Sequence, residues 1–215
     1  METPFQAAQA TQATQSSQAS QALQTPPEIR KRIWQELARA VQDRHHEWRT
    51  PVLATAQMGG APDARMVVLR EVDADLARLS IYTDSRSNKV SELANRSDAL
   101  LVFWSKRLSW QLRVRVSVRV HVAGPLVDAA WERVRQTAAA DDYLSHNAPG
   151  SAISSVANAP TASTSLAATQ SSNPTDRHHL AVLEAQVQEI DWLELTRSGH
   201  RRARLRADTW DWLTP

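Results

Sequence analysis

The sequence predicts a mainly β protein, an antiparallel β-barrel with flanking helices, built as a single domain. Three observations lead there. From Trp110 to Val122 the apolar residues Trp110, Leu112, Val114, Val116, Val118, Val120 and Val122 alternate with Gln111, Arg113, Arg115, Ser117, Arg119 and His121. Unbroken alternation gives a strand one core face and one polar face, and so long a strand in a small antiparallel sheet curls toward a barrel. Shorter alternating segments recur on both sides of it, whereas helical periodicity is confined to a few stretches. Finally, 215 residues, less a polar head and one polar internal stretch, leave about one ordinary domain.

Residues 1–24 are almost entirely Ala, Gln, Ser and Thr. They cannot bury enough apolar surface to offset the entropy of ordering, so a disordered tail is expected. Thr25-Pro26-Pro27-Glu28 then reads as a capping box with proline in the first turn. Ile29, Ile33, Leu37 and Val41, widened by Trp34 and Ala38, predict an amphipathic helix to about Gln42. Strands are expected at Val52–Gln57, Ala64–Arg70, Leu79–Thr83 and Ala99–Trp104, with Gly59-Gly60 turning the first pair as a hairpin. A short helix is expected at Val90–Ala94. After the long strand, Gly124-Pro125 is a stop and Asp128–Leu144 reads as a helix. Residues 147–177, rich in Ser, Ala, Thr, Asn and Pro, predict a flexible loop. Strand character returns at Leu180–Ile190, and the chain closes through Trp192, a Gly199 turn, a basic cluster at His200–Arg206 and Trp210-Asp211-Trp212-Leu213.

Composition removes several function classes. Lys plus Arg number 25 and Asp plus Glu 23, for a net charge of +2, too even for bulk attraction to nucleic acid or an anionic membrane. An RNA-binding sheet through Arg113, Arg115 and Arg119 would want exposed stacking aromatics, and that face carries none. No apolar run approaches the ~20 residues of a membrane span, and no secretory leader is visible. The absence of cysteine excludes disulfides, thiolate metal sites and cysteine nucleophiles; a cytoplasmic setting is expected. The five glycines form neither GxGxxG nor GxxxxGK[ST], which excludes a Rossmann dinucleotide site and a P-loop. His45-His46 and His178-His179 are adjacent pairs without chelating spacing, so no metal is expected. No nucleophile elbow can be written.

Two segments carry charge where an anion could use it. In Arg65-Met66-Val67-Val68-Leu69-Arg70, two arginines bracket apolar residues; on the residues alone this is first a buried strand with charged ends. In Tyr82-Thr83-Asp84-Ser85-Arg86-Ser87-Asn88-Lys89, a strand gives way to a helix with Ser87 as N-cap. Helix-start N–H groups favour a phosphate, whereas cations there oppose the macrodipole unless an anion offsets them. An ordinary capped surface helix is the competing reading. Together the two segments favour a phosphorylated ligand across neighbouring strands. Gln111 shares the polar face of the long strand with Arg113 and Arg115, where an amide could read the edge of a ring.

Arg-Met-Val-Val-Leu-Arg at 65–70, Tyr-Thr at 82–83, Ser-x-Lys at 87–89, Trp-Gln at 110–111 and the tail from Trp192 through Arg204 to Trp-Leu-x-Pro at 212–215 resemble, in order and spacing, the pyridoxamine 5′-phosphate oxidase family. Trp48-Arg49-Thr50-Pro51 and Phe103-Trp104 make it most similar to the cyanobacterial-type FMN-binding branch. The resemblance runs from about Trp34 to Pro215, omitting 147–177. It implies an FMN-binding split barrel, a homodimer with the cofactor site at the subunit interface, and a small-molecule substrate. It also implies cofactor-binding roles for Arg65, Met66, Val67, Val68, Tyr82, Thr83, Ser87, Lys89, Gln111, Trp192 and Arg204. The chemistry would then be the flavin's, a flavin-dependent oxidoreductase in which the protein binds and orients.

The sequence departs from the family pattern on the substrate side. Arg70 replaces the family lysine, and a planar fork is not equivalent to a point charge. Asn88-Lys89 stands for Arg-Lys. The Tyr-x-x-x-Arg-x-x-x-Ser phosphate grip reads as Trp131, Arg135 and Ala139, and Arg-x-His is matched in reverse by His200 and Arg202. Arg70, Arg135, His200 and Arg202 are the expected substrate-pocket residues, with the vitamin-B6 phosphate itself in question. The alternative is a flavin or haem carrier without turnover.

Overall fold

The structure is a computed structural model, and it describes residues 25–152, 178–197 and 199–215. The tail expected at 1–24 and residues 153–177 of the expected loop lie outside the described residues. In chain order the elements are α1 (Pro26–Gln42), a 3-10 turn (Glu47–Arg49), β1 (Val52–Ala56), β2 (Pro62–Met66), β3 (Leu69–Asp73), β4 (Arg78–Asp84) and α2 (Asn88–Asn95). They continue with β5 (Asp98–Ser105), β6 (Trp110–His121), α3 (Pro125–Val134), a second 3-10 turn (Ala138–Tyr143), β7 (Leu180–Glu194), β8 (Arg201–Leu205) and β9 (Trp210–Leu213).

All strands join one nine-stranded sheet in the order β2-β1-β5-β6-β7-β4-β3, with β8 pairing β7 and β9. Every pairing is antiparallel. The two ends of the seven-strand path, β2 and β3, are consecutive in the chain and separated only by Val67 and Val68. A flat sheet would hold those edges about 29 Å apart at ~4.8 Å per strand, while three residue steps reach only ~10 Å. The sheet must therefore curl until its edges meet. No ladder joins them, so the barrel is split. The expected strand Ala64–Arg70 is accordingly two strands, broken where Val67 turns its N–H to the Pro51 carbonyl at 3.0 Å.

β7 is the spine. Its first half pairs with β4 (Leu180↔Asp84 to Gln186↔Arg78) and its last residues with β8 (Ile190↔Leu205 to Glu194↔Arg201), both on the edge away from β6. The β6–β7 register shifts between Arg115 and Val116, where Glu189 and Val187 face them and Gln188 is the extra residue. A bulge bends a strand, and this one lies where β7 exchanges one neighbour for another. A cavity of about 240 Å³ opens there under α1, lined by Trp34, Ala77, Val187, Gln188 and Leu205 among others. Arg30 of α1 spans the gap, donating to the carbonyls of Arg206 and Ala207 and, at 3.2 Å, to that of Thr209.

The core follows the periodicities. Ile29, Ile33, Leu37 and Ala40 of α1 meet Leu112, Val114 and Val116 of β6 and Trp48, Phe103, Trp110 and Trp192 in one buried cluster. Glu28 accepts from the Thr25 N–H at 2.7 Å and hydroxyl at 3.0 Å, which fixes the start of α1. A smaller cluster beneath α3 contains Val127, Trp131, Val134, Tyr143 and Val182. The expected helix Asp128–Leu144 is interrupted, because Thr137 is extended and its hydroxyl accepts from the Ala139 N–H at 3.3 Å, starting the 3-10 turn afresh. β7 outruns its expected end at Ile190, and the C-terminal segment is the β8–β9 hairpin.

Leu112 is fully buried on the central strand. Leu112→Ala is expected to lower stability by about 2–5 kcal/mol in urea denaturation, whereas exposed Arg119→Ala changes it by less than about 0.5 kcal/mol.

Candidate functional site

The β2–β3 crossing brings Arg65 beside the end of β4 and the start of α2. Lys89 Nζ donates to Thr83 Oγ1 at 3.0 Å, and the Thr83 and Ser87 hydroxyls lie 3.4 Å apart. Ser87 Oγ donates to the Asp84 carbonyl at 2.7 Å, which leaves the first N–H groups of α2 without side-chain capping. Arg65 donates to Thr55 Oγ1 and to the Asp63 carboxylate, and at 3.0 Å to Glu92 Oε2. Glu92 is buried and also accepts from Thr55 Oγ1 at 2.6 Å. Burial pushes the Lys89 ammonium below its ordinary pKa, the Arg65 charge pushes it further, and Asp84, Glu92 and Asp63 only partly offset them. Lys89 forms no ion pair among the described residues; its bonded partner is a neutral hydroxyl.

Thus Arg65, Thr83, Ser87 and Lys89, expected from the sequence to act together, converge. Thr55, Asp63 and Glu92, which hold Arg65, carried no legible signal. Arg86 does not join this corner. It pairs with Asp84 at 2.6 Å and donates to the carbonyls of His146 and Asn147. Tyr82 points the other way, since neighbouring residues on a strand face opposite sides; its hydroxyl donates to Glu71 at 2.7 Å. The Arg70 guanidinium lies over the Tyr82 ring at 5.9 Å, on that second face. Val67 is buried and Val68 half-buried in the crossing, while Met66 is 62% exposed.

The outer face of the sheet forms a second region. Gln111 lies on it, in register with Trp104 and Leu193. Arg113, Arg115, Glu189, Asp191, Arg202 and Arg204 line a cavity of about 100 Å³ beside it. Arg202 grips Asp191 with two bonds of 2.9 and 2.7 Å, and those bonds, outweighing burial, hold the Asp191 carboxyl below its ordinary range. Arg204 Nε is buried without a hydrogen-bond partner and stands 3.6 Å from Glu189. Trp192 is not on this face. It is fully buried in the core, and the residue beside Gln111 is Leu193. Arg135 pairs with Glu132 on the exposed side of α3, and His200 is exposed in the β7–β8 turn; neither reaches Arg70. Arg133 does approach that group, bonding Glu71 and, at 3.2 Å, the Tyr82 hydroxyl.

Residues 31–122, from α1 to the end of β6, match the family model of the pyridoxamine 5′-phosphate oxidase FMN-binding domain. Over that part of its length the chain is similar to the pyridoxamine 5′-phosphate oxidases. It is 46% identical over 72 residues to the pyridoxine/pyridoxamine 5′-phosphate oxidase of Maricaulis maris, covering 34% of this chain and 32% of that protein. It is 35% identical over 103 residues to the one from Anaeromyxobacter dehalogenans, 48% of each chain. The chain thus matches about a third to a half of the length of these curated relatives. Two solved structures share the fold. An FMN-binding protein of Nostoc punctiforme superposes with a TM-score of 0.65 at 20% identity, covering 89% of this chain and 98% of that one. PhzG from Burkholderia lata, solved with tetrahydrophenazine-1-carboxylic acid, gives 0.62 at 18% identity, covering 90% and 98%. No helix among the described residues is long and apolar enough to cross a membrane, and no group of metal-ligating side chains occurs among them.

The lowered pKa of Lys89 has a thermodynamic signature. Between that lowered value and the ordinary 10.5, the unfolded chain carries the proton that the folded chain has lost. The Lys89 contribution to stability therefore rises with pH through this interval. In the absence of ligand, Lys89→Met is expected to be more stable than wild type near neutral pH, with the advantage shrinking as pH approaches 10.5. Urea denaturation of both proteins across that range measures the difference.

Proposed function

We propose that this protein binds FMN, with the phosphate at the corner formed by Arg65, Thr83, Ser87, Lys89 and the start of α2. The observation that carries this reading is the half-buried Lys89 ammonium, bonded to a hydroxyl and facing a second cation. A dianionic phosphate fits what the residues there lack. It would take donors from both hydroxyls and the helix start and draw Arg65 away from half-buried Asp63, while buried Glu92 keeps the guanidinium in place. Bound FMN would supply the hydride and electron transfer. The chain's own residues would fix the phosphate and exclude water from one side of the ring through Met66 and Val68.

The ring would lie on the outer sheet face, and a second copy of the chain would complete the site there with its Gln111 and Arg204. That face joins apolar residues to the ionic cavity: Met66, Val52, Leu100, Val102 and Trp104, of which Met66 and Trp104 are 62% and 47% exposed. An exposed apolar patch next to a polar cavity is the usual form of an interface. The reaction would be a flavin-dependent oxidation of a small molecule in the cytoplasm, with Arg70 of one copy and His200 and Arg202 of the other nearest the substrate, since within one chain they do not meet. A carrier without turnover is the second reading. Its support is that Arg202 is already spent on Asp191, and Arg135 on Glu132.

Purified protein is expected to bind FMN with a shift in the flavin spectrum. Lys89→Ala should weaken binding about ten- to a hundredfold, the loss of one charge-assisted hydrogen bond, while Arg135→Ala leaves it unchanged. An unchanged affinity in the lysine variant would place the phosphate elsewhere. Val102→Glu, on the outer face, is expected to convert a dimer to a monomer in analytical ultracentrifugation and to abolish FMN binding along with it.

A further inference from the structure

Five of the eight tryptophans form one file. Trp48 and Trp110 have ring centroids 6.5 Å apart, Trp110 and Trp192 5.3 Å, Trp192 and Trp212 6.5 Å, and Trp212 and Trp210 6.5 Å. The inner three are buried, and the outer two, on β9, are 45% and 43% exposed at Trp212 and Trp210. Packing alone would account for large rings in a core, but it does not account for their N–H groups. A buried indole N–H ordinarily finds an acceptor, and leaving one unpaired is costly enough to call for an explanation, a redox role among them. The Nε1 atoms of Trp48 and Trp192 are buried with no partner, whereas Trp110 Nε1 donates to Glu194 Oε1 at 2.9 Å.

We propose that Trp210, Trp212, Trp192 and Trp110 form a relay that carries a one-electron oxidising equivalent between the surface and a proton-coupled terminus at Trp110–Glu194. Electron exchange falls off steeply with distance, and rings in edge contact exchange fastest. An indole that loses an electron becomes far more acidic, comparable to a carboxylic acid, and it traps the oxidising equivalent only where a hydrogen-bonded base takes its proton. Trp192 has no such base, so the equivalent passes through it. Trp110 has the Glu194 carboxylate. Arg32, 4.8 Å over the Trp110 ring, disfavours a cation there and so favours the deprotonated, neutral radical. Arg201 lies 5.5 Å over Trp192, which likewise disfavours residence of positive charge on that ring. The same Arg201 pairs with Glu194 through Oε2 at 2.6 Å and leaves Oε1 to the indole.

The step balances as follows for a small inorganic one-electron oxidant, the azide radical. It takes one electron from Trp210 or Trp212 and becomes azide ion. Trp192 then supplies an electron outward, and Trp110 supplies one to Trp192. The Trp110 N–H proton passes to Glu194 Oε1, leaving a neutral Trp110 radical and a protonated carboxyl group. None of this requires the cofactor reading, since the oxidant comes from solution.

The test is pulse-radiolytic oxidation of the full chain by azide radical, followed in air by peptide mass spectrometry to locate oxidised tryptophan. Trp34, partly exposed on α1 and outside both the file and the face proposed for the second copy, is the internal control for direct attack. Wild-type protein is expected to show oxidation at buried Trp110 as well as at Trp34, Trp210 and Trp212. The double variant W210F/W212F should lose at least tenfold of the Trp110 product with Trp34 unchanged and the melting curve preserved. Glu194→Gln should keep surface oxidation and lose the transient absorbance of the neutral radical at Trp110. Oxidation confined to exposed tryptophans in wild type, or equal Trp110 oxidation in the double variant, would overturn the proposal.

Discussion

The two-residue crossing from β2 to β3 is the constraint from which the rest of the structure follows. Val67 and Val68 tie together the two edges of a seven-strand path, and no sheet of that width can satisfy them without curling. The curl encloses the apolar faces of β1, β5, β6 and β7 around Leu53, Leu101, Phe103 and Leu112. It also carries Arg65 to the mouth of the barrel, next to the start of α2. A cationic corner at the rim is thus a product of topology. The same short connection that closes the core positions the charge.

That corner is held at some cost to the fold. Arg65 and Lys89 disfavour one another, and the buried Glu92 that steadies Arg65 leaves Lys89 without a carboxylate of its own. A group whose charged form is disfavoured in the folded state is a recurrent property of binding sites, where an incoming ligand supplies the missing counter-charge. By contrast, Arg202–Asp191 and Arg86–Asp84 are self-sufficient pairs. The contrast separates arginines that stabilise strands from cations that stand ready for something else.

Much of this was legible in the sequence, and what was not had specific physical causes. The strand Trp110–His121 declared itself because one face is buried along its whole length. Arg65, Thr83, Ser87 and Lys89 were named by the family resemblance, and the Lys89 segment stood out besides because cations at a helix start are locally costly. The break at Val67-Val68 was invisible, since two valines continue an apolar strand pattern and only the distant Pro51 carbonyl turns them. Trp192 was named from a family spacing, which says nothing of strand phase; pairing with Leu112 turns its ring into the core. Glu92 escaped notice because an acid in a short amphipathic helix ordinarily faces water, and its burial depends on Thr55 and Arg65 from other strands.

The spine strand β7 begins at Leu180, and the carbonyls that Arg30 clasps belong to Arg206, Ala207 and Thr209. During synthesis on the ribosome, β1 to β6 therefore emerge with β6 unpaired on one side and α1 without its anchor. A nascent chain in that state offers an open template to other nascent chains for as long as translation takes to reach the final hairpin.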